Sequence, residues 1–278
     1  MIFDLHCHSN QSDGILSPDA LLSRAKAKGV DVLALTDHDT IAGLASARQA
    51  ASQQGVQLIN GIEFSSQWGR NGAHIVGLGV DTASSSLQDA IAAQQDARTQ
   101  RALAIAERLQ KAGFPDALGG AQALAGEALV GRPHFAQWLV NIGAVANMNA
   151  AFKKYLGAGK PADVKYQWPV MSTVIEWIHG AEGVAVLAHP CKYDLTRTKM
   201  CALISDFAAA GGDALEVISG QQAAGVAEDL ARIAEANHLY ASCGSDFHMP
   251  DQPWQELGNF GVLPTRCRPV WQLLGFQA

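Results

Sequence analysis

Short apolar runs rich in Val, Ile and Leu recur along the chain, and most are followed by an Ala-rich segment with helical spacing. This alternation is typical of parallel strands joined by crossover helices. The pattern predicts seven strands, at residues 2–5, 32–35, 57–62, 74–78, 184–187, 214–218 and 239–243. It also predicts helices at residues 18–28, 41–54, 86–112, 196–210 and 223–237, the first with Ser17 as its N-cap and Pro18 at position N1.

The alternation lapses between residues 113 and 177, where helical and glycine-rich stretches contain no clear strand. We expect this segment to be a mostly helical insertion that covers the functional face of a domain formed by residues 1–112 and 178–278. Arg70, Asn71 and Gly72 lie between two predicted strands and are typical of a hairpin turn. An antiparallel strand is therefore expected at this point of the sheet.

Composition narrows the class of protein. The 278 residues are 48% hydrophobic and 17% charged, which excludes disordered and fibrous chains. The net charge is −6 and the sequence contains no basic run, so we expect no long nucleic-acid duplex as a partner. No apolar stretch is long enough for a membrane span, and nothing indicates an obligate protein partner. The five cysteines form no CxxC pair, which favours a reducing, cytoplasmic location: Cys7, Cys191, Cys201, Cys243 and Cys267.

Two histidines mark the first predicted strand. His6 and His8 flank Cys7, and the two-residue period of a strand turns both imidazoles to the same side, where they can share a metal ion. Taken alone, this pattern is equally consistent with two ordinary histidines.

Further polar residues change that balance, because nearly all of them follow a predicted strand. They are Asp13, Asp37, His38, Asp39, Glu63, His74, His189, Asp246 and His248. In a barrel the carboxyl ends of the strands form one rim, which is where such folds place their active sites. His74 opens its strand instead, and reaches the same rim only if that strand runs antiparallel. Asp39 is also a good N-cap for the helix predicted from residue 41.

The chemistry of this set indicates metal binding. Nine of these residues are candidate ligands, which are too many for one zinc-like ion with about four ligands, so two or three divalent ions are implied: His6, His8, Asp13, His38, Glu63, His74, His189, Asp246 and His248. Glu63, which is central in the order, is the expected bridging carboxylate. Nitrogen and oxygen ligands without thiolate suit manganese, zinc or iron, and we favour manganese.

In their order, these motifs resemble those of the PHP (polymerase and histidinol phosphatase) family over residues 1 to about 248. The resemblance implies a distorted (β/α)7 TIM-like barrel with a trinuclear metal centre that hydrolyses phosphate esters. It implies three ligand sets: His6, His8, Glu63 and Asp246; Glu63, His74 and His189; Asp13, His38 and His248. Many relatives have histidine at the position of Asp13, so the third site here is richer in oxygen.

The predicted insertion carries a second signal, Gly131-Arg132-Pro133-His134, followed by Lys160. Arg132 and Lys160 can bind phosphate oxygens, and His134 can orient a phosphate or protonate a leaving alkoxide. The alternative is solvated charges and a helix-capping histidine. These segments resemble a PHP branch of nucleoside 3′,5′-bisphosphate phosphatases and 5′-to-3′ exonucleases. That likeness implies release of the 3′-phosphate to leave a 5′-nucleotide, or action on short 5′-phosphorylated RNA.

Three other functions stay open at this stage. A histidinol-phosphate phosphatase shares the barrel and the metals. A carbon–nitrogen amidohydrolase also opens with HxH, although such enzymes commonly bridge their metals with a carboxylated lysine. A non-enzymatic, metal-stabilised module is the third. His179 and His238 are interpreted as helix-end residues and are left out of the site.

Overall fold

The computed structural model describes residues 1–165 and 168–277. Its strands form one seven-stranded sheet whose order follows the chain. They are β1 (Phe3–Asp4), β2 (Val32–Leu35), β3 (Gln57–Trp68), β4 (Asn71–Leu78), β5 (Val184–Leu187), β6 (Ala214–Ser219) and β7 (Tyr240–Gly244). The backbone N–H of Leu5 donates to the carbonyl of Cys243 at 3.0 Å, so β1 meets β7 and the sheet nearly closes. The predicted TIM-like barrel is thus confirmed.

The helices surround this sheet. They are α1 (Pro18–Ala27), α2 (Leu44–Gln54), α3 (Ser85–Lys111), α4 (Ala117–Ala125), α5 (Arg132–Asn141), α6 (Met148–Ala151), α7 (Met171–Gly180), α8 (Arg197–Ala209) and α9 (Val226–Ala236), with a π-helical turn at Phe152–Leu156. Ser17 caps α1 as predicted, since its hydroxyl accepts from the Ala20 amide. The predicted start of the second helix is wrong, because α2 begins at Leu44 with Gly43 as its N-cap. No helix in the described residues is long and apolar enough to cross a bilayer.

Strand β4 runs antiparallel to both β3 and β5, whereas the other strand pairs are parallel. The antiparallel strand expected from the sequence is therefore present. The turn itself lies earlier than predicted: Trp68 pairs with Asn71, which leaves Gly69 and Arg70 as the two-residue loop. Gly69 has a φ of +58°, a conformation that glycine adopts without strain.

Three hydrophobic clusters hold these elements together. The largest, the barrel cluster, joins the strands to α7, α8 and α9 and includes Phe64 and Phe207, and the second lies beneath α1 and α2. The third consists, in the described part of the chain, of residues from 102 to 164, in the second half of α3 and the segments that follow it. Helix α7 packs on the barrel cluster, so the boundary predicted at residue 177 falls inside a barrel helix. The division into barrel and insertion stays a prediction.

Candidate metal centre

One rim of the barrel gathers the polar residues singled out in the sequence. His6 and His8 follow β1, His38 follows β2, and Glu63 lies within β3. His189 follows β5, while Asp246 and His248 follow β7. His74 joins them because β4 is antiparallel and pairs His74 with Ser65 of β3. The nine expected ligands, with Asp13 from the loop after His8, therefore meet at one end of the barrel: His6, His8, Asp13, His38, Glu63, His74, His189, Asp246 and His248.

Glu63 lies at the centre of this cluster and is fully buried. Its Oε1 is 3.0 Å from Nδ1 of His74 and 3.0 Å from Nε2 of His189. The other oxygen, Oε2, faces three more imidazole nitrogens at distances of 2.9 to 3.3 Å, those of His38, His6 and His8. One carboxylate thus contacts five histidines, which is the arrangement expected of a bridging ligand.

Two further carboxylates complete the cluster. Asp246 Oδ1 is 3.3 Å from Nε2 of His8 and 3.6 Å from Nε2 of His6. Asp13 lies on the other side, 3.3 Å from Nε2 of His248 and 3.6 Å from Nε2 of His38. The donor atoms fall into four overlapping groups of three or four, and within each group they all lie within 4.8 Å of one another.

Several of these buried atoms lie close to a neighbour but have no partner in hydrogen-bonding geometry among the described residues: Nδ1 of His8, Oδ1 of Asp13, Nδ1 of His38, Oε2 of Glu63 and Nδ1 of His189. Buried polar atoms left in this state cost about 1–3 kcal/mol each, so such a concentration calls for an explanation. A set of imidazole nitrogens and carboxylate oxygens converging without thiolate suits divalent cations. The residues fit metal ions.

The close approach of histidines and carboxylates shifts their pKa values. Burial alone would raise the pKa of Glu63, but His38, His6 and His74 hold it well below its usual range. Burial would lower the pKa of His248, yet Asp13 outweighs it and raises the value to about 9. The pKa of His8 falls to about 3, because burial dominates and His248 repels a second positive charge.

Three residues at this rim have positive φ angles: Asp39 at 52°, His189 at 28° and Asp246 at 55°. Such angles cost a non-glycine residue about 1–3 kcal/mol and persist where the surroundings enforce them. The Asp246 amide donates to the carbonyl of His6 at 2.8 Å, and the His189 amide donates to Glu216 at 2.5 Å. Strain is therefore held at the ends of β5 and β7, where the side chains are aimed into the cluster.

Supporting residues surround the cluster. The carboxylate of Asp37 accepts from the backbone and hydroxyl of Ser9 and from the hydroxyl of Ser12, which fixes the loop that carries Asp13. Asp39 does not cap α2; its carboxylate accepts from the Ser65 amide and is bound to Arg98 at 2.5 Å. The helix-cap interpretation of Asp39 is wrong because the helix starts later, at Leu44.

Sequence reasoning missed Glu216 and Lys192. Glu216 accepts from Nδ1–H of His6 and from the amide of His189, and Lys192 donates to Oδ2 of Asp246. A buried charge in the otherwise apolar run of β6 is the signal that could have revealed Glu216.

A cavity of about 630 Å³ opens beside the cluster. Asp13, His38 and His74 form one part of its wall, and basic residues from α3 and α5 form another, namely Arg98, Arg101, Arg132 and His134. Lys160 is exposed and does not line the cavity among the described residues, whereas Lys165 does.

Positive charge is crowded in this cavity. Burial, together with Arg132 and Arg98, lowers the pKa of Arg101 to about 9, and burial also lowers the pKa of Arg132. Asp39 neutralises Arg98. The Nε of Arg101 is buried without a hydrogen-bond partner in the described part of the chain. Guanidinium groups in this state suit an anion with several oxygens.

His134 has two relations to its surroundings. Its Nδ1 accepts from the Gly131 amide at 2.9 Å and so caps α5, as the alternative interpretation predicted. The same side chain lines the cavity. Burial lowers its pKa, so the ring is neutral at pH 7. With Nδ1 accepting, the proton lies on Nε2, which is left to donate.

A rim of histidines and carboxylates beside a cationic cavity defines a metal-dependent hydrolase acting on phosphoester bonds. Comparison with known proteins supports that class. A PHP domain model matches residues 4–131. The chain is 47% identical to a 5′-3′ exoribonuclease of Haemophilus influenzae, over 97% of this chain and 98% of the relative. It is 43% identical to a 3′,5′-nucleoside bisphosphate phosphatase of Chromobacterium violaceum, over 98% and 95% respectively.

A solved structure described as an amidohydrolase from Chromobacterium violaceum, with bound sulfate and no metal, superposes with a TM-score of 0.93. It is 42% identical, and the match covers 99% of this chain and 96% of that one. The chain belongs to the PHP family of metal-dependent phosphoesterases.

Proposed function

We propose that the protein removes the 3′-phosphate of nucleoside 3′,5′-bisphosphates, leaving a 5′-nucleotide and inorganic phosphate. Short 5′-phosphorylated RNA is the related substrate. The observation that carries the proposal is the cationic cavity beside the metal-ligand cluster, because it can bind a second phosphate while the first lies at the cluster. The names of the two relatives, an exoribonuclease and a bisphosphate phosphatase, support the same two substrates.

The nine clustered residues are proposed to hold two or three divalent ions, with manganese first and zinc or iron as alternatives. His6, His8, Glu63 and Asp246 would hold one, Glu63, His74 and His189 a second, and Asp13, His38 and His248 a third. Ions bound there would provide a nucleophile from water at neutral pH and offset the charge of the phosphate.

The remaining steps fall to residues of the cavity. Arg132 and Arg101 would bind the 5′-phosphate, because their guanidinium groups otherwise crowd each other in a half-buried site. Neutral His134 would donate from Nε2 to the leaving 3′-oxygen or to a phosphate oxygen. Binding of substrate by Lys160 stays a prediction that requires its exposed side chain to reach into the cavity, which its neighbours Ala158 and Asp163 already line.

No long duplex, membrane or obligate protein partner is proposed. A cytoplasmic location remains a prediction, supported by the five cysteines, which are all unpaired in the described chain.

The rival functions fit this cavity less well. Histidinol phosphate carries an ammonium group, which the arginines lining the cavity would repel. A metal-bridging carboxylated lysine is not needed, since Glu63 occupies the centre of the cluster.

Substrate comparison in variants tests the proposal. We expect Arg132→Ala to raise KM for adenosine 3′,5′-bisphosphate at least tenfold while changing KM for adenosine 3′-monophosphate little, because the monophosphate has no 5′-phosphate. His134→Ala should lower kcat for both. Arg266→Ala is the control, since Arg266 pairs with Glu228 and Glu235 away from the cavity. Unchanged kinetics in both cavity variants would refute these roles.

A further inference from the structure

Glu216 is a carboxylate buried within an apolar strand, with both of its oxygens hydrogen-bonded. Oε1 accepts from Nδ1 of His6 at 3.0 Å, and Oε2 accepts from the backbone amide of His189 at 2.5 Å. The side chain is 2% exposed, so these two bonds form away from water. A single residue of β6 therefore joins the end of β1 to the end of β5.

Each of these two hydrogen bonds helps to fix the orientation of one imidazole ring. With its Nδ1–H donated to Glu216, His6 turns Nε2 toward the cluster as the atom that would bind a metal ion, and that nitrogen lies 3.3 Å from Glu63. The hydrogen bond from the backbone amide of His189 to Glu216 stabilises the positive φ of 28° at His189. In this conformation Nε2 of His189 lies 3.0 Å from Oε1 of Glu63. His6, Glu63 and His189 form one of the four candidate ligand groups.

We infer that Glu216 is a positioning residue that holds His6 and His189 in place for the metal ions that each would share with Glu63. The inference rests on the metal centre of the proposed function and adds a residue that does not itself bind the ion. A carboxylate behind a metal-bound imidazole fixes the tautomer and orientation of the ring, and loss of such a partner typically costs about 10–100-fold in metal affinity.

Glutamine is the informative substitution because it has the shape of glutamate but only one acceptor atom. In Glu216→Gln the amide oxygen can serve His6 or His189, and its NH₂ group then faces the remaining donor. One of the two ligands must lose its support. We expect the Mn²⁺ affinity of the whole protein, measured by isothermal titration, to fall at least tenfold.

Asp213 offers a matched control in the same part of the chain. Its carboxylate also bonds a histidine ring, at 2.8 Å from Nε2 of His179, and a backbone amide, that of Ala185. Neither partner belongs to the metal-ligand cluster. Asp213→Asn should therefore lower thermal stability without changing Mn²⁺ affinity.

Two further readouts separate positioning from general damage. The visible absorption of the Co²⁺-loaded protein should change in Glu216→Gln and not in Asp213→Asn, because only the former alters ligand geometry. Phosphatase kcat in Glu216→Gln should recover as Mn²⁺ is raised, with substrate KM unchanged. If Glu216→Gln does not fold, Glu216→Asp is the substitute, since its shorter side chain withdraws from both donors and should weaken Mn²⁺ several-fold.

Wild-type Mn²⁺ affinity and an unaltered Co²⁺ spectrum in the Glu216 variant would overturn the inference. Failure of the proposed function gives a different result: the wild-type protein would bind Mn²⁺, and the variant would bind it more weakly, without either one hydrolysing a nucleoside bisphosphate.

Discussion

Replacing Arg101 by methionine should have opposite effects on stability and on substrate binding. Burial and the charges of Arg132 and Arg98 lower the pKa of Arg101 from its usual range to about 9. At about 1.4 kcal/mol per pKa unit, the charge on Arg101 destabilises the folded protein by at most ~5 kcal/mol. Solvent screening reduces that ceiling, and loss of the stacking of Arg101 on Trp168 offsets about 0.5–1 kcal/mol more. We expect Arg101→Met to stabilise the substrate-free protein by ~1–2 kcal/mol.

Binding should move the other way. A hydrogen bond to a charged group contributes about 1.5–3 kcal/mol, so loss of the Arg101 guanidinium should raise KM for adenosine 3′,5′-bisphosphate ~10–150-fold. The turnover number should change little, because Arg101 is proposed to bind the phosphate that does not react.

Urea unfolding and steady-state phosphate release measure the two effects on the same preparation. Arg48→Met is the control, since Arg48 bonds Asn60 at the surface outside the cavity. A destabilised Arg101→Met protein with unchanged KM would refute the proposal that the Arg101 guanidinium binds an anionic group of the substrate.

Two further predictions concern the rim. A methyl group at Gly244 would lie 2.4 Å from Cβ of His6, so Gly244→Ala should cost at least ~2 kcal/mol in urea unfolding and weaken Mn²⁺ binding, whereas Gly261→Ala, with open space around it, should do neither. The pKa of His248 is raised to about 9, so its contribution to stability is complete below about 6.5 and is lost as the pH rises through about 9. Chelator-treated wild-type protein should therefore lose its stability advantage over His248→Gln across that interval, and a constant or growing difference would contradict the assignment.

The metal-ligand cluster was largely predictable because strand ends are local features of the sequence. Most of the ligands follow an apolar run, and parallel strands bring their ends to one rim, although Asp13 lies in the loop after His8 and Glu63 lies within β3. His74 required knowledge of strand direction, which the hairpin turn indicated even though the turn residues proved to be Gly69 and Arg70.

The cavity was less predictable because it depends on how distant elements approach each other. Arg98 and Arg101 lie in α3, whose pattern predicts a helix and says nothing of what its polar face meets. Asp39 is of a residue type that often caps helices, but its carboxylate accepts a hydrogen bond from Arg98, 59 positions further along the chain. Lys160 has suitable chemistry, yet the structure places it outside the cavity lining.

Phosphate release from adenosine 3′,5′-bisphosphate by Mn²⁺-loaded protein, with the nucleotide product identified, tests the proposed function most directly. Histidinol phosphate and a short 5′-phosphorylated RNA are measured alongside, before and after treatment with a chelator. We expect rapid release that leaves 5′-AMP, is abolished by the chelator and returns with Mn²⁺. If the bisphosphate and the RNA are not hydrolysed but histidinol phosphate is, the result would agree with a metal-dependent barrel enzyme and contradict the proposed substrate.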